Sequence, residues 1–254
     1  MLFIGLGAGR TGTASLTRLL DNQEDTVCFH ELNPTCAHFS DNFAPIRNTI
    51  NEFTDILKGR DRSLLTLDYT RKVSVKRYEQ LKNIQQPKLL GDIAYYYLSY
   101  VEDIHKLNSE VKFLCLYRDK ESNVQSWIKQ TTIKRWPSLW LADWLHALIM
   151  REPFYKGRNF WQEHDGSQWQ LDPVWDKTFP KLQANSKKEA IEMYWDYYYT
   201  EADRLAKILP KHFKIIDVKK LNTLEGQKEV LSFLGIAESN MKLLDGCHIH
   251  KSSE

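Results

Sequence analysis

The chain contains no apolar run approaching the ~20 residues that a membrane-spanning helix needs. Its opening residues, Met1-Leu2-Phe3-Ile4-Gly5, carry no basic n-region, no apolar stretch of signal-peptide length and no cleavage site. A cytoplasmic location is therefore expected. An excess of one charge is also missing, since 35 Lys and Arg oppose 33 Asp and Glu for a formal net charge of +2. Without a basic excess there is little to attract a phosphate backbone, which argues against a nucleic-acid binder. A disordered chain is excluded as well, because 42% of the residues are hydrophobic and the net charge is small. Cysteine is sparse: Cys28, Cys36, Cys115 and Cys247 form no CxxC pair, and Cys28 and Cys115 sit inside apolar runs. They read as reduced structural thiols. Tryptophan is absent from the first 126 residues, all eight lying at or after Trp127.

What is present is an alternation of strands and helices. Leu2 to Leu6 is a short apolar run that enters a glycine-rich turn, and Ala14 to Leu20 follows with Leu16, Leu19 and Leu20 on one helical face. Further strands are expected at Thr26–His30, Lys88–Asp92, Val111–Tyr117 and Phe213–Val218. The near-continuous apolar run ending at Tyr117 suits a strand buried on both faces, as in a parallel sheet. Helices are expected over Tyr95–Leu107 and Glu121–Lys129, and as segments within residues 40 to 85. A long one over Glu189–Leu209 would carry Ile191, Trp195, Tyr198, Ala202, Leu205 and Ile208 on one stripe. Asn222 with Glu225 resembles an N-cap pair. The pattern predicts an α/β fold with three layers, in which helices flank a mostly parallel sheet of four to five strands. No repeat or linker divides residues 1–254, so a single domain is expected. Residues 136–185 are rich in Trp and Pro without a regular period, and they read as an insertion whose rings either pack over the sheet or line an acceptor pocket.

A strand, a glycine turn and a helix make a general anion site, because the first amides of the helix and its dipole favour negative charge. A triphosphate-binding loop is not matched: Gly5 and Gly9 are one residue too close, and Arg10 stands where that motif has lysine. Gly7-Ala8-Gly9-Arg10-Thr11-Gly12 does satisfy the G-x-G-x-x-G dinucleotide pattern, and Glu31, 22 residues after Gly9, is placed for a ribose. A nicotinamide or flavin oxidoreductase is therefore one expectation.

Arg10-Thr11-Gly12-Thr13-Ala14-Ser15-Leu16 resembles the 5′-phosphosulfate loop of sulfotransferases that use 3′-phosphoadenosine 5′-phosphosulfate. That family also places an arginine at the end of a strand and a serine eight residues later. Here Arg118 follows Tyr117 and Ser126 lies eight residues on, within a run, Leu116-Tyr117-Arg118-Asp119-Lys120, similar to the family's L-x-R-D-P. Lys120 replaces the usual proline. Val230-Leu231-Ser232-Phe233-Leu234-Gly235-Ile236 is similar to the family's C-terminal F-L-G-[IV] helix end. The dinucleotide pattern gives no reason for Arg118 and Ser126.

The resemblance implies the P-loop-like sulfotransferase fold and transfer of a sulfuryl group to a hydroxyl of a small-molecule or carbohydrate acceptor. The donor leaves as 3′,5′-adenosine bisphosphate, and no metal is required. It implies that Arg10, the amides of Thr11, Gly12, Thr13 and Ala14, and the hydroxyls of Thr11, Thr13 and Ser15 hold the 5′-phosphosulfate. Arg118 and Ser126 would hold the 3′-phosphate, with Lys251 of the C-terminal His250-Lys251 segment as a poorer match. An acceptor hydroxyl needs a base. Glu31, expected at the end of the strand neighbouring the loop, comes first, His30 is its rival on the opposite side of the strand, and Asp92 is a further acceptor-side candidate. Cys247-His248-Ile249-His250 lacks the second ligand pair that a zinc site wants. A non-catalytic nucleotide-binding protein of the same fold remains the other alternative.

Overall fold

The computed structural model describes residues 1–33, 43–131 and 187–245, with Leu145, Leu148, Ile149 and Ala184 between them. The tryptophans from Trp136 to Trp175, Cys36, Cys247 and Lys251 lie outside the described residues.

Five strands form one sheet: β1 (Leu2–Leu6), β2 (Thr26–His30), β3 (Leu89–Ile93), β4 (Lys112–Tyr117) and β5 (Phe213–Asp217). Their order is β2-β3-β1-β4-β5, and every neighbouring pair is parallel. Parallel neighbours require crossovers, and the helices supply them. They are α1 (Thr13–Asp21), α2 (Ala44–Leu57), α3 (Lys72–Asn83), α4 (Val101–Leu107), α5 (Lys120–Thr131), α6 (Lys187–Ile208) and α7 (Leu224–Phe233).

The strands alternate their side chains between two cores. Phe3, Leu114, Leu116 and Ile216 pack with Leu16, Leu19 and Leu20 of α1 and Val230 and Leu231 of α7. Leu2, Ile4, Leu6, Phe113 and Cys115 face the other way, against Ile50 and Phe53 of α2 and Tyr198 and Ala202 of α6. The central strands bury both faces, so their sequences read as continuous apolar runs. This is the expected three-layer α/β architecture.

Three local expectations change. The segment from Tyr95 is not one helix: a 3-10 turn over Tyr95–Tyr100 precedes α4. The Tyr96 and Tyr97 hydroxyls both donate to Asp92, which draws this segment down onto β3. The cap of α7 is Thr223, whose Oγ1 accepts from Gly226 N at 3.1 Å, because Asn222 is taken up in the preceding 3-10 turn. On α6, Tyr194 and Tyr199 join the buried stripe, while Ile208 is 47% exposed at the last turn.

The strand order decides between the two readings of the glycine loop. In a dinucleotide-binding sheet β2 lies beside β1. Here β3 stands between them, so the end of β2 is two strand spacings, roughly 10 Å, from the end of β1. Glu31 is therefore not at the end of the neighbouring strand, and the ribose position of a dinucleotide fold is not formed.

Candidate active site

The loop from Gly7 to Gly12 leaves the C-terminal end of β1 and enters α1. Gly9 and Gly12 have φ of 77° and 86°, and Arg10 between them has φ of 56°. Left-handed backbone at a residue bearing Cβ costs roughly 1–2 kcal/mol, so the conformation of Arg10 must be held from outside. Arg118, at the end of β4, does this: its Nη1 donates to the Arg10 carbonyl at 2.9 Å. Asn123 Nδ2 donates to Gly9 O at 2.9 Å and Trp127 Nε1 to Ala8 O at 3.2 Å, both from α5. From α6, the Tyr198 hydroxyl accepts from Gly7 N at 2.9 Å. Each carbonyl from Ala8 to Arg10 thus meets a fixed donor.

The glycines are required by the chain's own packing. A Cβ on Gly9 would lie 2.4 Å from Trp127 Cζ2, and one on Gly12 would lie 2.5 Å from Val218 Cγ2. Gly12 is the N-cap of α1 and offers no side-chain cap, and no acid lies in the first turn. The leading amides are left for an external anion.

Arg10 Nε donates to Ser126 Oγ at 3.2 Å, so Arg10, Arg118 and Ser126 converge although they lie on three separate segments. Among the described residues neither guanidinium forms an ion pair. Asp119, the nearest acid in sequence, instead accepts from Ser122 N at 3.0 Å at the start of α5, a bond that holds its carboxyl below the usual range. Burial, and then the neighbouring charge of Arg118, lower the pKa of Arg10. Two cations without a carboxylate between them are poised for an anion with more than one charge.

The remaining predicted residues divide between this loop and the end of β2. Thr11 is fully buried, its hydroxyl packing against Gly7 with no hydrogen-bond partner among the described residues. Ser15 is also buried, whereas Thr13 and Ala14 are half-buried at the mouth of α1. His30 Nε2 and Thr13 Oγ1 share a hydrogen bond of 3.0 Å, so His30 reaches the anion loop. Glu31, with φ of 53°, turns instead to Arg71, whose Nη2 is 3.6 Å from its Oε2. Asp92 is 0% exposed and accepts from Leu32 N, Ile93 N and the hydroxyls of Tyr96 and Tyr97. Its pKa is raised, mainly by burial, and it has no open path to an acceptor.

Asn123, Trp127, Tyr198 and Arg71 were not predicted. Asn123, Ser126 and Trp127 share a helix face by their i, i+3 and i+4 spacing, a signal readable in the sequence once Ser126 is chosen. Arg71 has no such signal, because it arrives from the N-cap of α3.

A family model for the sulfotransferase domain matches residues 3–240. The chain belongs to the sulfotransferase family. No curated protein matches it. Among solved structures, a sulfotransferase from Alicyclobacillus acidocaldarius is 14% identical with a TM-score of 0.48, over 99% of this chain and 86% of that one. The sulfotransferase domain from the curacin biosynthetic pathway is 12% identical with a TM-score of 0.47, over 93% of this chain and 74% of that one. In this sulfotransferase domain no helix among the described residues is long and apolar enough to cross a membrane. No group of three or more metal-ligating side chains occurs among them either.

The site's own geometry bears on whether a nucleotide carrying phosphates at both its 3′ and 5′ positions fits. The uncapped amides of α1 suit one phosphate, and the carboxylate-free pair Arg10 and Arg118 with Ser126 suits another. The two features are joined by the loop itself, so the residues fit such a donor.

Proposed function

We propose that this sulfotransferase takes its sulfuryl group from 3′-phosphoadenosine 5′-phosphosulfate and passes it to a hydroxyl of a small-molecule or carbohydrate acceptor. The convergence of Arg10, Arg118 and Ser126 beside an uncapped helix N-terminus carries this reading. The first amides of α1 and Thr13 hold the 5′ end, and Arg118 and Ser126 hold the 3′-phosphate. Transfer is an in-line displacement: the acceptor oxygen bonds to sulfur, the sulfur–oxygen bond to the 5′-phosphate breaks, and the bisphosphate leaves. Positioning and fixed charge supply most of the rate. No metal is needed in this scheme.

His30 is the base in this reading, and Glu31 with Arg71 forms the acceptor side. The bond between His30 and Thr13 places the imidazole one hydrogen bond from the residue that opens α1. The Glu31 carboxylate is engaged by Arg71 instead. Turnover with labelled donor, paired with calorimetry of 3′,5′-adenosine bisphosphate, tests the assignment. His30→Asn should lower kcat about 100-fold with bisphosphate binding kept. Glu31→Gln should act mainly on the acceptor KM. Failure of the wild-type protein to bind the bisphosphate would overturn the donor, and the reverse split between the two variants would return the base to Glu31.

A further inference from the structure

Asp92 is fully enclosed, and two of its four donors are backbone amides beside the two acceptor-side residues. β2 and β3 run in register to their ends, with Phe29 opposite Asp92 and His30 opposite Ile93. Glu31 N still donates to Ile93 O at 3.0 Å, extending the ladder by one bond. The chain then turns through Glu31, whose φ of 53° is left-handed. A glycine would adopt that angle freely, but glutamate does not, so something must hold it. Leu32 N, the next amide, points back to Asp92 and donates to Oδ1 at 3.2 Å and Oδ2 at 3.1 Å. Ile93 N at 2.9 Å and the hydroxyls of Tyr97 at 2.8 Å and Tyr96 at 3.3 Å complete the carboxylate's shell.

We infer that Asp92 is a positioning residue: its carboxylate clamps the His30–Glu31–Leu32 turn in the left-handed path that sets the His30 imidazole on Thr13 and the Glu31 carboxylate on Arg71. This rests on the assignment of His30 and Glu31 to the acceptor side. A carboxylate accepts at both oxygens and donates at neither, which matches four converging donors. Asparagine keeps one acceptor oxygen and places an NH2 group at the other position, so it loses one of the two bonds from Leu32 N and sets its nitrogen against that N–H. Arg71 Nη2 donates to His30 O at 3.4 Å and Asp68 N to Leu32 O at 3.4 Å, so the turn is held from the outside as well, but only at its carbonyls. Of the amides at the turn, Glu31 N is taken by the Ile93 carbonyl and Leu32 N by the Asp92 carboxylate, so Asp92 is the side chain that holds the amide following the left-handed residue.

The test is a double-mutant cycle on the full chain, using Asp92→Asn, Glu31→Gly and both together. It reads Leu32 amide hydrogen exchange, turnover with labelled donor, and binding of 3′,5′-adenosine bisphosphate. Asp92→Asn should speed Leu32 exchange and lower kcat, each about tenfold, with bisphosphate affinity held within about threefold. With glycine at position 31 the left-handed angle is free, so adding Asp92→Asn should then cost less than about threefold. Equal costs in both backgrounds, or an unchanged exchange rate, would overturn the clamp. Should Asp92→Asn not fold, the wild-type Leu32 amide decides: protection matching the β2 amides supports the clamp, and loop-like exchange refutes it. A wild-type protein that neither binds the bisphosphate nor turns over acceptor defeats the proposed function, and the exchange measurement still decides the clamp.

Discussion

Arg118 donates through Nη1 to the carbonyl of Arg10 at 2.9 Å, tying together two arginines 108 residues apart. The bond uses one face of the Arg118 guanidinium to fix the backbone of the other arginine, and it leaves the rest of the fork for a ligand. Both jobs need the planar, multi-donor group, which lysine lacks. Arg118→Lys keeps the charge and should still lose at least about tenfold in affinity for 3′,5′-adenosine bisphosphate. Arg118→Ala should lose more, and exchange of the Gly9 to Gly12 amides should rise in both variants. Calorimetry that finds Arg118→Lys equal to wild type would show that charge alone suffices.

Thr11 separates a packing role from a binding role. The family resemblance assigns its hydroxyl to the 5′-phosphate, yet the side chain is fully buried against Gly7 and its Oγ1 has no partner among the described residues. A buried hydroxyl without a partner is a cost that an apolar isostere removes. Thr11→Val should leave the melting temperature equal or higher and bisphosphate affinity within about threefold. Thr13→Val, which breaks the contact with His30, should weaken turnover instead. A collapse of nucleotide binding in Thr11→Val would mean that the hydroxyl turns outward to the ligand.

Gly9 shows why the loop cannot take a side chain. A Cβ there would lie 2.4 Å from Trp127 Cζ2, and the ring cannot retreat while its Nε1 holds Ala8 O at 3.2 Å. The backbone angle of 77° adds a second penalty. Gly9→Ala should destabilise the protein by about 2–4 kcal/mol in thermal or denaturant unfolding. Combining it with Trp127→Leu should recover the steric part and leave the backbone part. A Gly9→Ala protein as stable as wild type would remove the packing argument.

These relationships also mark how far the sequence could be read. All five strands, the loop and the pair Arg118 and Ser126 were legible, because a sheet buried on both faces writes itself as apolar runs and the anion motifs are local in sequence. The strand order was not, since nothing in the text of β2 tells whether it lies beside β1 or beyond β3. That gap misplaced Glu31 by a strand. Likewise, strand alternation set His30 and Glu31 on opposite sides, but the left-handed turn at Glu31 and the arrival of Arg71 from α3 decided what each would meet. Asp92 was recognised as a charged strand end, and its enclosure by Tyr96 and Tyr97 became visible only with the 3-10 turn.

Asp21, at the last residue of α1, gives a stability prediction apart from the active site. It pairs with Arg77 of α3, and its side chain is 14% exposed. Burial outweighs the pairing and pushes its pKa from 3.8 up to about 6. A folded-state pKa above the unfolded value means that the stabilising contribution is complete below about 3.8 and is lost as the pH rises through about 6. The loss is at most about 3 kcal/mol. Asp21→Asn does not titrate, so its melting temperature relative to wild type should climb between about pH 4 and pH 7, by up to roughly 10 °C. Arg77→Ala should act in the opposite sense, because removing the cation leaves the buried carboxylate uncompensated and steepens the wild-type loss. A difference between Asp21→Asn and wild type that stays flat across this range would show that the Arg77 pair fully offsets the burial.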